Sequence, residues 1–278
     1  MIVQAYAKIN LSLDVIRRRE DGYHELEMVM VPLELHDVIE IEIAEHEEIS
    51  WNLKNEIDDK NTIVKAIHLM RETFQLKQQF KVHVKKHIPM EAGLAGGSSN
   101  AAAIMRGICE LCGLSLSDEQ LASLSKVIGA DVPFCVINKP ALVKGIGEKI
   151  ECLPFVGEIY VFLVKPQRGV STKEAFEGLD FTTLVHPNTK EAINSFLNLD
   201  LNSLNIYAKN SLEQTAFKLV PEILELKQSL KNDGFDFVLM SGSGSCLFGL
   251  TKDKKIAEKA YHNVKYLSYF KELTKILQ

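Results

Sequence analysis

PMEAGLAGGSSNAAA, residues 89–103, sets three glycines and two serines directly in front of an alanine run. Ahead of it, Phe80, Val82 and Val84 alternate with Lys81, His83 and Lys85, the pattern of a half-buried strand. Behind it, alanines are strong helix formers. The stretch therefore predicts strand, glycine-rich loop, helix, with the helix opening at Ser98 and with Ser98, Ser99 and Asn100 as its N-caps. Glycines at 93, 96 and 97 carry no Cβ, so backbone amides there can close on an anion. A helix mouth adds free N–H groups and a positive dipole end. The loop matches neither G-x-G-x-x-G nor a P-loop ending in G-K-[ST]. A ligand-free strand-to-helix turn is the alternative, and the glycines and hydroxyls together favour the anion.

Outward from this loop, the pattern predicts an α+β protein. Ile9, Leu11, Leu13 and Val15 mark a strand over residues 2–16, and Asp21-Gly22 is a hairpin signal. A return strand is expected over residues 25–31 and a third over residues 39–45. Asn61 caps a helix carrying Ile63, Ile67, Met70 and Phe74. Ser117 and Gln120 form a capping box for a helix ending near Gly129. Strands are expected at residues 141–144 and 159–164. Helices are expected at residues 171–177, 189–197, 211–231 and 253–266, interrupted by the strand FDFVLMSGSGSCLFGL. The texture changes near residue 155, which predicts two domains, 1–155 and 156–278, with a cleft between them for a ligand.

Bulk composition narrows the function. The chain has 278 residues, 46% hydrophobic and 25% charged, ordinary for a soluble globular protein. Net charge is -5, and the short run Arg17-Arg18-Arg19 ends at Glu20, so it reads as a solvated turn rather than a nucleic-acid patch. The N-terminus lacks a signal pattern, and no apolar run reaches the roughly 18 residues a bilayer span needs. A cytoplasmic protein with no membrane or nucleic-acid partner is expected. Five cysteines point to reduced thiols, and Cys109 and Cys112, a C-x-x-C within a helical segment, read as core or semi-buried thiols, with redox or metal chemistry as the alternative.

Three more clusters carry chemistry. Ala7-Lys8-Ile9-Asn10 places Lys8 and Asn10 on one strand face, where an exposed lysine is the plain alternative. Asp131, in Gly129-Ala130-Asp131-Val132-Pro133-Phe134, reads alone as a turn or cap carboxylate. Met240-Ser241-Gly242-Ser243-Gly244-Ser245-Cys246 suits either phosphate or close packing against another loop. Two glycine clusters, one per expected domain, hint at a bound polyphosphate.

Together these clusters resemble the GHMP kinase superfamily, whose three motifs stand here in order: the lysine-bearing first strand, P-x-x-x-G-L-x-G-G-S-S-x-A, and the late S-G-S-G-S-C. The resemblance runs over essentially the full length. The segment Arg19-Glu20-Asp21-Gly22-Tyr23-His24 is similar to the branch acting on 4-diphosphocytidyl-2-C-methyl-D-erythritol in the non-mevalonate isoprenoid route. It implies an N-terminal ribosomal-protein-S5-domain-2-like domain, a C-terminal ferredoxin-like domain and an active site in the interdomain cleft. It implies ATP with Mg2+, held along Pro89, Met90, Glu91, Ala92, Gly93, Leu94, Ala95, Gly96, Gly97, Ser98 and Ser99, with Ser99 as the magnesium candidate.

By the same resemblance, Asp131 takes the proton of the 2-hydroxyl and Lys8 neutralises the transferring phosphoryl group while keeping Asp131 ionised. A positioning carboxylate is the alternative for Asp131, since phosphoryl transfer needs little base assistance. Asn10 orients the hydroxyl. Tyr23 and His24 form a cytosine pocket, Thr172 contacts the substrate, and Phe176 either stacks on the base or anchors its helix. Glu91, Ala92 and Ala95 depart from the family's more glycine-rich loop, so Glu91 is expected to face solvent or pair with a lysine. A GHMP kinase for another small alcohol and a non-catalytic nucleotide-binding paralogue are the competing readings. Lys8 and Asp131 are both present, which weighs against the second. The oligomeric state, monomer or dimer, stays open.

Overall fold

Strands build the first half of the chain, with burial alternating over Gln79–Lys85 but continuous over residues 7–13. The computed structural model describes residues 1–54 and 57–278. Strand β1 (Ile2–Arg18) buries Ile9, Leu11, Leu13 and Val15, the alternating series expected. The hairpin closes where Arg19 N donates to Tyr23 O at 2.8 Å, with Gly22 at φ +85°. β2 (His24–Ala44) then runs for 21 residues, where two separate strands were expected. Only Pro32 and Asp37 stand between them as turn formers: Pro32 accepts from Leu277 N at 3.0 Å, and Asp37 is buried and hydrogen-bonded within the strand.

A short β3 (Glu48–Trp51) follows, unforeseen because four residues carry little pattern. In α1 (Thr62–Phe74) Asn61 caps as expected, accepting from Ile63 N at 2.9 Å. Next come β4 (Gln79–Lys85), α2 (Gly96–Cys112), and α3 (Asp118–Ser125) with its capping box intact. α3 stops four residues short of Gly129. The chain continues through α4 (Val132–Ile137), β5 (Ala141–Gly145), β6 (Lys149–Cys152), β7 (Tyr160–Lys165), α5 (Thr172–Glu177), α6 (Thr189–Leu197) and α7 (Leu201–Tyr207). The helix expected over residues 211–231 is two, α8 (Glu213–Leu219) and α9 (Glu222–Asn232), because Pro221 lacks the N–H to continue the first. The expected strand over residues 235–250 is a hairpin, β8 (Phe237–Met240) and β9 (Leu247–Thr251), with the serine-glycine cluster as its loop. α10 (Lys254–His262), a 3-10 turn at Val264–Tyr266 and β10 (Phe270–Lys275) complete the chain.

Two compact units emerge, and neither is one continuous stretch. The first comprises Met1–Ala7, Leu35–Ile88 and Ala95–Asn138. In it β4 pairs antiparallel with the far end of β2 (Ile41 opposite Val82) and parallel with β3 (Ile49 opposite Val82). Ile39, Ile41, Phe80, Val82 and Val84 point into the core, and Glu40, Lys81 and Lys85 point out. α2 packs on α1 and α4. A Cβ on Gly107 would come within 3.0 Å of Ile41, so a glycine in mid-helix is what lets α2 lie close to the sheet.

The second unit comprises Lys8–Glu34, Pro89–Leu94 and Lys139–Gln278. There β5 pairs with the near end of β2 (Met28 opposite Val143) and with β6. Its other sheet is fully antiparallel in the order β10-β7-β9-β8. That order, with helices between β7 and β8 and between β9 and β10, is the β-α-β-β-α-β ferredoxin-like arrangement. Phe162, Phe237 and Phe248 fill its core.

Candidate active site

The glycine-rich loop is built differently from its expected caps. α2 opens at Gly96, two residues early, after Ala95 turns through a left-handed φ of 58°. Ala95 offers no side-chain cap, so the first amides of α2 are left for an external acceptor, the condition under which a helix mouth binds an anion. Ser99 and Asn100 are buried instead. Ser99 Oγ donates to Tyr6 O at 2.5 Å and lies 3.3 Å from Cys135 Sγ. A hydroxyl spent this way is poorly placed for a metal, and half-buried Ser98 is the better hydroxyl for a ligand.

Asn100 Nδ2 donates to Asp37 Oδ2 at 2.8 Å. Asp37, fully buried on β2, also accepts from His87 N at 2.7 Å, Ile88 N at 2.8 Å and the Lys86 ammonium. One carboxylate thus ties the end of β4 to the first turn of α2, on either side of the loop in sequence. Sequence reasoning missed it, although an aspartate inside LHDVIEI breaks an otherwise apolar alternation.

Within the second unit, the late serine-glycine cluster packs against the first half of the loop. Ser241 Oγ donates to Gly93 O at 2.9 Å, Ser245 N donates to Glu91 O at 3.3 Å, and Cys246 N donates to Ala92 O at 3.3 Å. Ser241 and Ser245 are fully buried. A Cβ on Gly93, whose φ is +71°, would lie 1.9 Å from Ser241 O. Of the two readings open for this cluster, close packing against the loop is the one observed.

Lys8 and Asn10 share a face as expected, but the lysine is not exposed: it is 3% accessible. Lys8 Nζ donates to Asn10 Oδ1 at 2.7 Å, Asn10 N donates to Ser241 Oγ at 3.3 Å, and Lys8 N donates to Leu94 O at 3.2 Å. Asn10 Nδ2 lies 3.4 Å from Met28 Sδ. Glu91 is exposed, its carboxylate against Gly169 and near Lys165. Burial lowers the pKa of the Lys165 ammonium, against the opposing pull of Cys246 and Glu91.

Asp131 is the N-cap residue of α4 yet makes no side-chain capping bond, so the plain cap reading does not hold. Arg106, on α2, donates to Cys135 O at 2.9 Å and Val136 O at 3.3 Å, holding the last turn of α4. It too went unread, since one arginine in a helix carries no pattern.

Around the first hairpin, His24 stacks on Phe176, with ring centroids 4.9 Å apart and planes 26° apart. Ala175 is the buried residue of α5, and Phe176 is half-buried. Burial, with Arg18 adding, lowers the His24 pKa, which keeps the imidazole neutral at physiological pH. Tyr23 is 61% exposed beside it. Thr172 Oγ1 lies 3.0 Å from Ser243 Oγ.

The family profile described as GHMP kinases N terminal domain matches residues 61–139, and GHMP kinases C terminal matches residues 187–268. The chain belongs to the GHMP kinase family. This GHMP kinase is 41% identical over 268 residues to the 4-diphosphocytidyl-2-C-methyl-D-erythritol kinase of Clostridium tetani, covering 95% of this chain and 96% of that protein. It is 40% identical to the enzyme of the same name from Geobacillus kaustophilus, covering 95% and 92%. Its fold matches a crystal structure of 4-(cytidine 5'-diphospho)-2C-methyl-D-erythritol kinase with a TM-score of 0.83 at 28% identity, each chain covered in full. The homoserine kinase of Cytophaga hutchinsonii shares the fold at a TM-score of 0.75 and 16% identity, covering 99% of this chain and 94% of that one. As a GHMP kinase, the chain is a small-molecule kinase, and its two family profiles fall on either side of residue 155.

Proposed function

We propose that this kinase transfers the γ-phosphoryl group of ATP to the 2-hydroxyl of 4-diphosphocytidyl-2-C-methyl-D-erythritol, giving the 2-phosphate and ADP in the non-mevalonate route to isoprenoid precursors. The observation that carries the substrate is the His24–Phe176 stack beside Tyr23, an aromatic site that a homoserine or mevalonate acceptor would leave unused. The names of the relatives support the same reading.

In this reading ATP lies along residues 89–99, its phosphates on the uncapped amides of α2 and on Ser98. Mg2+ bound with ATP would supply charge neutralisation. Among the described residues no group of three or more His, Cys, Asp or Glu is arranged to hold a metal by itself. Lys8 offers its ammonium to the phosphoryl oxygens, a charge that matters most where water is excluded. Asn10 holds Lys8 and the hydroxyl in line, and Asp131 accepts the hydroxyl proton as the new P–O bond forms and the bond to ADP breaks. Tyr23, His24 and Phe176 hold cytosine and Thr172 the substrate. Domains 1–155 and 156–278 and a cytoplasmic setting belong to the same proposal; no helix among the described residues is long and apolar enough to cross a membrane.

The test is ADP release with Mg-ATP and three acceptors: 4-diphosphocytidyl-2-C-methyl-D-erythritol, homoserine and mevalonate. Turnover on the cytidyl compound alone is expected. Turnover on another acceptor transfers the assignment to that alcohol. ATP binding with no turnover on any of the three would leave only the nucleotide-binding reading.

A further inference from the structure

A second large ring flanks His24. Phe181, in the loop after α5, lies 6.0 Å from the imidazole with the planes 13° apart, closer to parallel than the Phe176 pair. It is 43% exposed. Its loop is tied down on both sides. Thr182 N and Oγ1 donate to Asp180 Oδ1 at 3.0 and 2.6 Å, just after Leu179 N reaches Phe176 O at 3.4 Å. Further on, His186 Nδ1 pairs with Asp14 Oδ1 at 2.6 Å, and Ser211 Oγ donates to Val185 O at 3.4 Å. The ring is therefore presented by a pinned loop of the second unit.

We propose that Phe181 is a specificity-determining positioning residue of the pyrimidine subsite, holding the plane of the His24 ring for the base. The inference rests on the cytidyl reading above. A neutral imidazole offers one N–H and one lone pair, and it can read a base edge only if its plane is set. An exposed histidine pays rotamer entropy to adopt one plane on binding, and a stacked ring settles that cost in advance. The Phe176 plane lies 26° from the imidazole and the Phe181 plane 13° from it, so Phe181 is the ring more nearly parallel to it. The residue acts through His24 rather than on the reacting atoms.

Because Phe181 is exposed, its variants keep the fold. Calorimetric titration with cytidine diphosphate is the probe, alongside KM for the cytidyl substrate. For Phe181→Ala we expect Kd and KM to rise about three- to tenfold, the span that one aromatic pair produces. KM for ATP and kcat stay unchanged, and Phe181→Tyr restores the wild-type values. In a His24→Ala background the same substitution has no further effect, since its target is gone. An unchanged Kd in Phe181→Ala overturns the proposal, as does an equal rise in the His24→Ala background. If the wild type binds cytidine diphosphate but turns over no cytidyl substrate, the proposed reaction fails while the Kd series still decides the role of Phe181. If the wild type does not bind cytidine diphosphate, the subsite itself is refuted.

Discussion

At Asp131 the sequence context leaves two roles open, a cap and a proton acceptor. An aspartate before Val132-Pro133 could cap a helix, yet its carboxylate makes no capping bond to α4. Asp131→Ala should cut kcat by about 10²- to 10⁴-fold while ATP still binds, the range for losing a positioned acid–base group. Turnover near wild type would remove it from the chemistry. His24 makes a second prediction. Burial first, and Arg18 second, lower its pKa below the ordinary 6.5, so the folded protein keeps a neutral ring where a free histidine would be half protonated. KM for the cytidyl substrate should stay flat as pH falls from 7.5 through 6.5 and rise only below it. A rise centred at 6.5, absent from KM for ATP, would mean that His24 titrates as an ordinary exposed histidine.

At the scale of elements, glycines in similar torsions do unlike work. Gly22 and Gly93 both have positive φ, +85° and +71°. A Cβ on Gly22 meets nothing within 4 Å, so Gly22→Ala costs only the torsional strain, about 1–2 kcal/mol. Gly93→Ala adds a collision with the Ser241 carbonyl, a backbone atom that cannot step aside without moving the loop. We expect Gly93→Ala to raise KM for ATP by about tenfold or more, since a loop displaced by 1 Å can cost a hundredfold in rate. Gly22→Ala should leave it alone. Steady-state kinetics on both variants checks this, and equal effects would mean that the serine-glycine hairpin does not set the loop. The elements that sequence pattern located well were the long or capped ones: β1, α1 with Asn61, β4, and α3 with its capping box. Those it missed, β3, α4, β6, α7 and β10, are four to seven residues long, too short to carry a pattern of their own.

For the whole molecule, thiol exposure tests whether the C-x-x-C is redox chemistry. Burial raises the pKa of Cys109 and of Cys112, and Cys246, fully enclosed, is pushed up to about 12. Only Cys152 is exposed. A thiol reagent at pH 8 should modify Cys152 quickly, half-buried Cys109 and Cys112 slowly, and buried Cys135 and Cys246 only after unfolding, since the thiolate is the reactive form. Fast labelling of Cys109 or Cys112 in the native protein would reopen the redox reading.

Local order and local chemistry were legible in the chain: the strand–loop–helix around residues 89–103, the pairing of Lys8 with Asn10 on one strand face, and the aromatic hairpin at Tyr23-His24. Each depends on neighbours within a few residues, where periodicity, capping and glycine torsions act directly. Tertiary structure alone decided what each hydroxyl and carboxylate is used for. Ser99 turned inward to Tyr6, Ser241 closed on Gly93 from 148 residues away, and Asp37 gathered donors 49 to 63 residues distant. A hydrogen bond saves a buried polar group from its desolvation cost whatever the sequence separation of its partner, so no local pattern records it.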